Sequence, residues 1–333
     1  MKFTNISKKN KARLIFYPCF LMAVTASVFW MKWMPGESYQ GKMPELTKQQ
    51  LQQKEVYLNQ LNEFAKTPHN FMYPKELEKT KNFLIKELEL YGYEVNKQEY
   101  GQQKFTNLEV IIKADKESKG TIVIGAHYDS ETDTPGANDN GSGVVMLLDL
   151  AKRLKDLKTD YELRIVFFVN EEPPFFRQPD MGSTVYVDDL IKKQVNIKAA
   201  YIFDTVGYYF EEEGTQHYPL LFAPFFPDKA NFVAFVSGLA SRDLLKETVK
   251  TFREDAKIAS EGVSAPTYIQ GIDFSDHLSF YKYNIPALMI TDTAFFRSKT
   301  YHQVTDTPEK LNYEKMVLVT DGLEKTFKKL YGK

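Results

Sequence analysis

The sequence predicts an α/β fold: a mixed, mostly parallel central sheet with helices on both faces, preceded by one N-terminal transmembrane helix. Three observations lead there. From Thr121 onward, short runs rich in β-branched and aromatic residues (TIVIGAH, LRIVFFVN, AAYIFDTVG, PALMITD) alternate with amphipathic helical stretches. Near-continuous apolar strands of this kind suit a parallel sheet covered on both sides. The segment from Leu14 to Met31 holds 18 residues without a charge, behind Lys8, Lys9, Lys11 and Arg13. About 18 apolar residues is the lower limit for a spanning helix.

Taken in order, residues 1–35 read as a basic N-terminus and membrane anchor. The basic flank predicts a cytoplasmic N-terminus and an extracytoplasmic body, periplasmic in a bacterium. The alternative is secretion after cleavage of a signal peptide at Val24-Thr25-Ala26. Residues 36–44, with Gly36, Gly41 and Pro44, are a linker to a domain spanning 45–333. A Gln-rich helix follows, with Leu51, Leu58, Leu61 and Ala65 on its apolar stripe. A second helix starts at Pro74, carries Leu77, Leu84 and Leu88, and stops at Gly92. VNKQEY and NLEVIIKA are expected to pair antiparallel at a sheet edge. Helices are expected over Gly141–Leu157, Ser183–Lys193, Asp228–Phe252 (long or broken) and Pro308–Leu330, with Phe295–His302 a loop folding over the sheet edge.

Composition narrows the function. The first 35 residues hold six basic and no acidic residues, which leaves 37 basic against 44 acidic in the body. A mildly acidic body gives no reason to expect nucleic-acid binding. The single cysteine, Cys19, excludes an intrachain disulfide and a cysteine-based zinc site.

The chemistry gathers at strand ends. HYDSETDTPGANDNGSG, from His127 to Gly143, is a loop between a strand and a helix and holds one histidine, three aspartates and three glycines. His127, Glu171 with Glu172, and Asp204 fall at or just past three strands, and His302 lies on the loop after a fourth. In a parallel sheet these ends share one edge. Two imidazoles with carboxylates suit zinc, and an aspartate able to bridge suits two zincs. Adjacent Glu171 and Glu172 offer one ligand and one general base, because neighbouring residues leaving a strand point to opposite sides. His69 and His217 have no such context and are expected at the surface. The run Glu211–Glu213 is expected to be an exposed loop.

HYDS…PGANDNGSG, NEE, FDT and YHQVTDTPEKL resemble the family of zinc exopeptidases with two co-catalytic metals. That family contains secreted bacterial aminopeptidases, with glutamate carboxypeptidase and glutaminyl cyclase as relatives. The resemblance covers roughly residues 75–333. It implies that His127 and Asp204 complete one zinc, Glu172 and His302 the other, and that Asp139 bridges them. Glu171 would be the general base and Asp129 would orient the ring of His127. A strained peptide would follow the bridging aspartate, with Gly141 and Gly143 easing the turn into the next helix. The chain departs from many aminopeptidases at PPFFRQPDMGS, which places Phe175 and Phe176 beside the site and touches substrate preference. SDHLSFY resembles a further motif near the cleft, giving Asp276, His277 and Tyr281 structural or substrate contacts. The reading that results is a membrane-anchored zinc aminopeptidase acting on peptides. The rivals are a glutaminyl cyclase or other amide hydrolase on the same fold, and an inactive partner-binding ectodomain.

Overall fold

The computed structural model describes residues 8–219 and 222–333. Among them, eight strands form one sheet: β1 (Asn96–Tyr100), β2 (Phe105–Ile112), β3 (Thr121–His127), β4 (Glu162–Phe168), β5 (Ile197–Phe203), β6 (Phe232–Gly238), β7 (Ala259–Ala265) and β8 (Ala287–Thr291). Their order is β1-β2-β4-β3-β5-β8-β6-β7. The central strands β4, β3, β5 and β8 run parallel, as do β6 and β7. The β1/β2 and β2/β4 pairs are antiparallel, and so is β6/β8. The mixed, mostly parallel sheet is therefore as predicted.

Side-chain alternation along the strands feeds two layers. Ile122, Ile124 and Ala126 of β3, Leu163, Ile165 and Phe167 of β4, and Tyr201 and Phe203 of β5 face one core. That core is closed by α2 (Lys48–Phe64), α3 (Pro74–Leu90), α4 (Gly143–Leu154), α6 (Arg242–Asp255) and α8 (Tyr313–Tyr331). Val123, Val166, Phe168, Ala200 and Ile202 face the other side, under α5 (Gly182–Lys192) and the short α7 (Leu278–Tyr281).

Two expected elements differ. The stretch expected to be helical from Asp228 contains β6 before α6 begins. FVAFV is apolar at every position because β6 is buried on both faces, so its sequence lacks the alternation that marks a half-buried strand. Strand β7, ASEGVSA, carries no apolar pattern because it pairs on one side only, with β6. In α2 the buried face is Tyr57, Gln60, Leu61 and Phe64, while Leu51 is exposed. A hydroxyl network turns the helix this way: the Tyr57 hydroxyl donates to Asp149 (2.6 Å) and lies 2.9 Å from the Thr320 hydroxyl, tying α2 to α4 and α8.

The N-terminal helix α1 spans Lys8–Lys32. The expected membrane span is not supported: among the described residues, no helix is long and apolar enough to cross a membrane. Its C-terminal end is engaged with the body. Val28 is buried, Phe29 meets the edge of Phe225 with ring centroids 5.3 Å apart, and the Arg242 guanidinium lies 4.2 Å from the Trp30 ring centroid. Arg242 also donates to the Trp30 carbonyl at 2.6 Å.

Tyr57→Phe removes a donor from Asp149, a buried carboxylate that also holds Arg153 at 2.8 Å. The variant is expected to lose about 1–3 kcal/mol of unfolding free energy in urea, the usual cost of leaving a buried polar group short of a partner. A loss under about 0.5 kcal/mol would show that this network does not fix α2.

Candidate metal centre

The parallel strands deliver the donors to one sheet edge. His127 is the last residue of β3, Asp204 follows β5 directly, and Glu171 and Glu172 lie just past β4. His302 comes from the loop after β8, in a left-handed conformation at φ 54°. Asp139 comes from the irregular turn Ala137–Ser142 that leads into α4. Its Oδ1 is 3.3 Å from His127 Nε2 and its Oδ2 is 3.1 Å from His302 Nε2. Asp204 Oδ2 stands 3.8 Å from His127 Nε2, and Glu172 Oε2 stands 3.3 Å from His302 Nε2. Two groups of donors thus share Asp139. Glu171 Oε2 lies 3.9 Å from His127 Nε2, and donor atoms of His127, Glu171 and Glu172 lie within 4.8 Å of one another.

Asp129 sits behind His127. Its carboxylate oxygens accept the backbone N–H groups of Glu171 (3.1 Å) and Glu172 (3.2 Å), and His127 Nδ1 lies 3.1 Å from the Asp129 carbonyl. One aspartate therefore sets both the ring and the glutamate pair.

The turn bearing Asp139 is fixed by residues that sequence reasoning missed. Asp306 accepts the backbone N–H of Asn138 (2.9 Å) and of Asp139 (3.0 Å). Asn138 donates to Asp292 (2.9 Å), and Asn140 donates to the Phe203 carbonyl (2.8 Å) beside Asp204. The signals were present, because Asp306 lies in YHQVTDTPEKL and Asp292 ends PALMITD. The peptide between Asp139 and Asn140 is cis. A Cβ on Gly141 would lie 2.8 Å from the Gly136 carbonyl, so the turn admits glycine there.

The electrostatics call for a cation. Asp129, Asp139, Glu171, Glu172 and Asp204 are all buried around two imidazoles. Burial and then the His127 and Glu172 charges act on Glu171, and the sum pushes it well above the usual carboxylate range. Burial and the neighbouring Asp139 push Glu172 up to about 8. Burial opposes a charge on His302, yet Asp139 and Glu172 outweigh it and lift the ring to about 11. His127 behaves likewise: burial opposes its charge and the carboxylates around it win. Protons are thus drawn to a place where divalent cations would serve. The Nε2 atoms of both histidines and Oε1 of Glu172 are buried without hydrogen-bond partners, and the donor set is nitrogen and carboxylate only. Both facts fit zinc.

The other candidate residues are placed as follows. Phe175 packs edge-on against Phe71 and Phe105 (5.4 and 5.3 Å), turned to the β2 side. Phe176 meets Phe274 at 6.3 Å, and Phe274 helps to line a mostly apolar cleft that Asp204 and Tyr301 also line. Asp276 and His277 are fully buried, and His277 Nε2 lies 2.8 Å from the Ile272 carbonyl. The Tyr281 hydroxyl is taken up by Gly238 N and the Ala287 carbonyl. His69, expected at the surface, is buried against Phe64 with Nδ1 2.8 Å from the Thr67 carbonyl; its loop is drawn in by the Ser130 hydroxyl, which accepts the His69 N–H. His217 is exposed, as expected.

Comparison with known proteins identifies the family and the fold. The Escherichia coli (strain K12) protein YfbL is 39% identical over 211 residues, 61% of this chain and 64% of that protein. The aminopeptidase YwaD of Bacillus subtilis is 42% identical over 74 residues, 22% of this chain and 15% of its own length. The chain thus spans less than two thirds of these relatives. Among solved structures, the Legionella pneumophila LapA aminopeptidase aligns over 100% of this chain and 78% of its own, with TM-score 0.65 and 18% identity. A zinc aminopeptidase from Bacillus subtilis aligns over 68% and 50% (TM-score 0.53, 23% identity). A Fimbriiglobus ruber glutaminyl cyclase aligns over 88% and 98% (TM-score 0.60, 18% identity). At these identities the structures speak for the fold alone. Residues 107–326, which carry every donor named above, match peptidase family M28, and the chain belongs to that family.

Proposed function

We propose that this chain is a zinc-dependent aminopeptidase holding two zinc ions. The observation that carries the reading is the shared carboxylate. Asp139 presents one oxygen to His127 and the other to His302, while Asp204 and Glu172 stand on either side. Family membership and the aminopeptidases among its relatives support it. His127, Asp204 and Asp139 would hold one ion, and His302, Glu172 and Asp139 the other. Such ions polarise a carbonyl and lower the pKa of water.

The chain's own residues do the rest. Glu171 takes a proton from the attacking water and returns it to the leaving amine. Its backbone is pinned by Asp129, so its carboxylate has a fixed reach. Burial holds its pKa up, the direction that a proton acceptor at neutral pH needs. The His302 side chain is 29% exposed whereas that of His127 is 0%, so substrate enters from the His302 side. The cleft that Asp204 helps to line is otherwise walled by apolar groups such as Phe222, Ala234, Val236 and Met289, and suits an apolar side chain.

Three outcomes test this reading. The zinc-loaded protein should shorten peptides with free N-termini stepwise and leave N-acetylated copies intact, followed by mass spectrometry. Trimming of both sets from the carboxyl end would reject aminopeptidase action, and cyclisation of N-terminal glutamine would favour the cyclase reading. Glu171→Gln should keep its zinc and lose at least about 100-fold in rate; turnover like that of the parent would remove Glu171 from the mechanism. The third outcome concerns pH. Glu172, raised to about 8, and His302, raised to about 11, bind more protons folded than unfolded. Each therefore adds stability at low pH that is lost as pH rises toward its folded value. Asp139 is shifted the opposite way, but its window lies below the usual carboxylate range. The Tm gap between zinc-loaded and EDTA-treated protein should therefore widen from about pH 5.5 to about pH 8. A gap that narrows over that range would contradict the charge balance described here.

A further inference from the structure

An aminopeptidase must recognise a terminal ammonium, and none of the residues discussed so far is assigned to it. The acidic run Glu211–Glu213 is exposed and engaged elsewhere: Glu211 accepts from Lys315 and Asn231, and Glu213 pairs with Lys229 at 3.5 Å. Glu131 is different. It lies on the loop after β3, four residues past His127. One of its carboxylate oxygens, one of Glu172 and a ring nitrogen of His302 lie within 4.8 Å of one another. Its Oε2 is buried and has no hydrogen-bond partner. Its other oxygen accepts the Thr132 hydroxyl at 2.9 Å.

The backbone beneath Glu131 is held firmly. Asn70 donates to the carbonyls of Glu131 (3.2 Å) and Thr132 (2.9 Å), and the backbone N–H of Thr134 donates to Glu131 O at 3.1 Å. A carboxylate on a tethered loop, with one oxygen unpartnered, is built to receive a cation. Asp139 and the four residues around it already supply both sets of ligands, so this cation need not be a metal. An ammonium carries three N–H donors and needs several acceptors around it. Glu131 stands on the His302 side, the exposed side through which substrate enters.

We propose that Glu131 binds the terminal ammonium of the substrate. This inference rests on the aminopeptidase reading, but its test needs no turnover. Zinc-loaded parent protein and Glu131→Gln are titrated calorimetrically with leucine hydroxamate and with 4-methylpentanohydroxamate, which lacks only the amine. The parent should bind the amine-bearing probe at least about tenfold more tightly, and Glu131→Gln should bind the two alike, the scale of one charge-assisted contact. Zinc content should be the same in both proteins. A preference for the amine that survives in Glu131→Gln, or no preference in the parent, would overturn the proposal. Loss of one zinc from Glu131→Gln would overturn it as well and make Glu131 a metal ligand. Failure of the parent to trim any peptide would count against the aminopeptidase reading, while the binding contrast would still decide the role of Glu131.

Discussion

The two oxygens of Asp139, each facing a different imidazole, are the contact on which the centre depends. They draw together His127 from the middle of the sheet and His302 from the loop beyond β8. Holding a carboxylate there requires that its backbone be placed first, and Asp306 does so by accepting two consecutive N–H groups. Asn138 and Asn140 extend the brace to Asp292 and to the end of β5. The same turn opens α4, whose apolar residues fill the main core. Core packing and donor placement are thus set by one stretch of chain.

That arrangement concentrates five carboxylates in a buried volume. Such a surplus destabilises a fold unless a cation or protons compensate it. The raised values at Glu172 and His302 and the unpartnered ring nitrogens describe the same demand from two sides. On the proposed zinc reading, metal binding and the stability of this region are one problem, as in other sites whose ligands must lose protons to coordinate. Asp129 adds rigidity without adding a donor, since its oxygens are spent on the two glutamate N–H groups.

Much of this was legible in the sequence. His127, Glu171, Glu172 and Asp204 sit where apolar strand patterns end, and strands β3, β4, β5 and β8 all follow their runs. What escaped detection did so for physical reasons. A strand buried on both faces, such as β6, shows no alternation, and an edge strand such as β7 shows no apolar run. Asp306 and Asp292 act through backbone groups brought near by the fold, 167 and 154 residues away from their partners. Glu131 carries no motif of its own, and only the fold sets it beside Glu172 and His302. The apolar N-terminal run read as a span, whereas the end of α1 rests on Phe225 and Arg242.

The most direct measurement is anomalous scattering at the zinc edge from crystals of zinc-loaded protein. Two peaks per chain are expected, both within about 2.0–2.2 Å of an Asp139 oxygen, one also beside His127 and Asp204 and the other beside His302 and Glu172. A single peak, or two peaks that do not share Asp139, would contradict it.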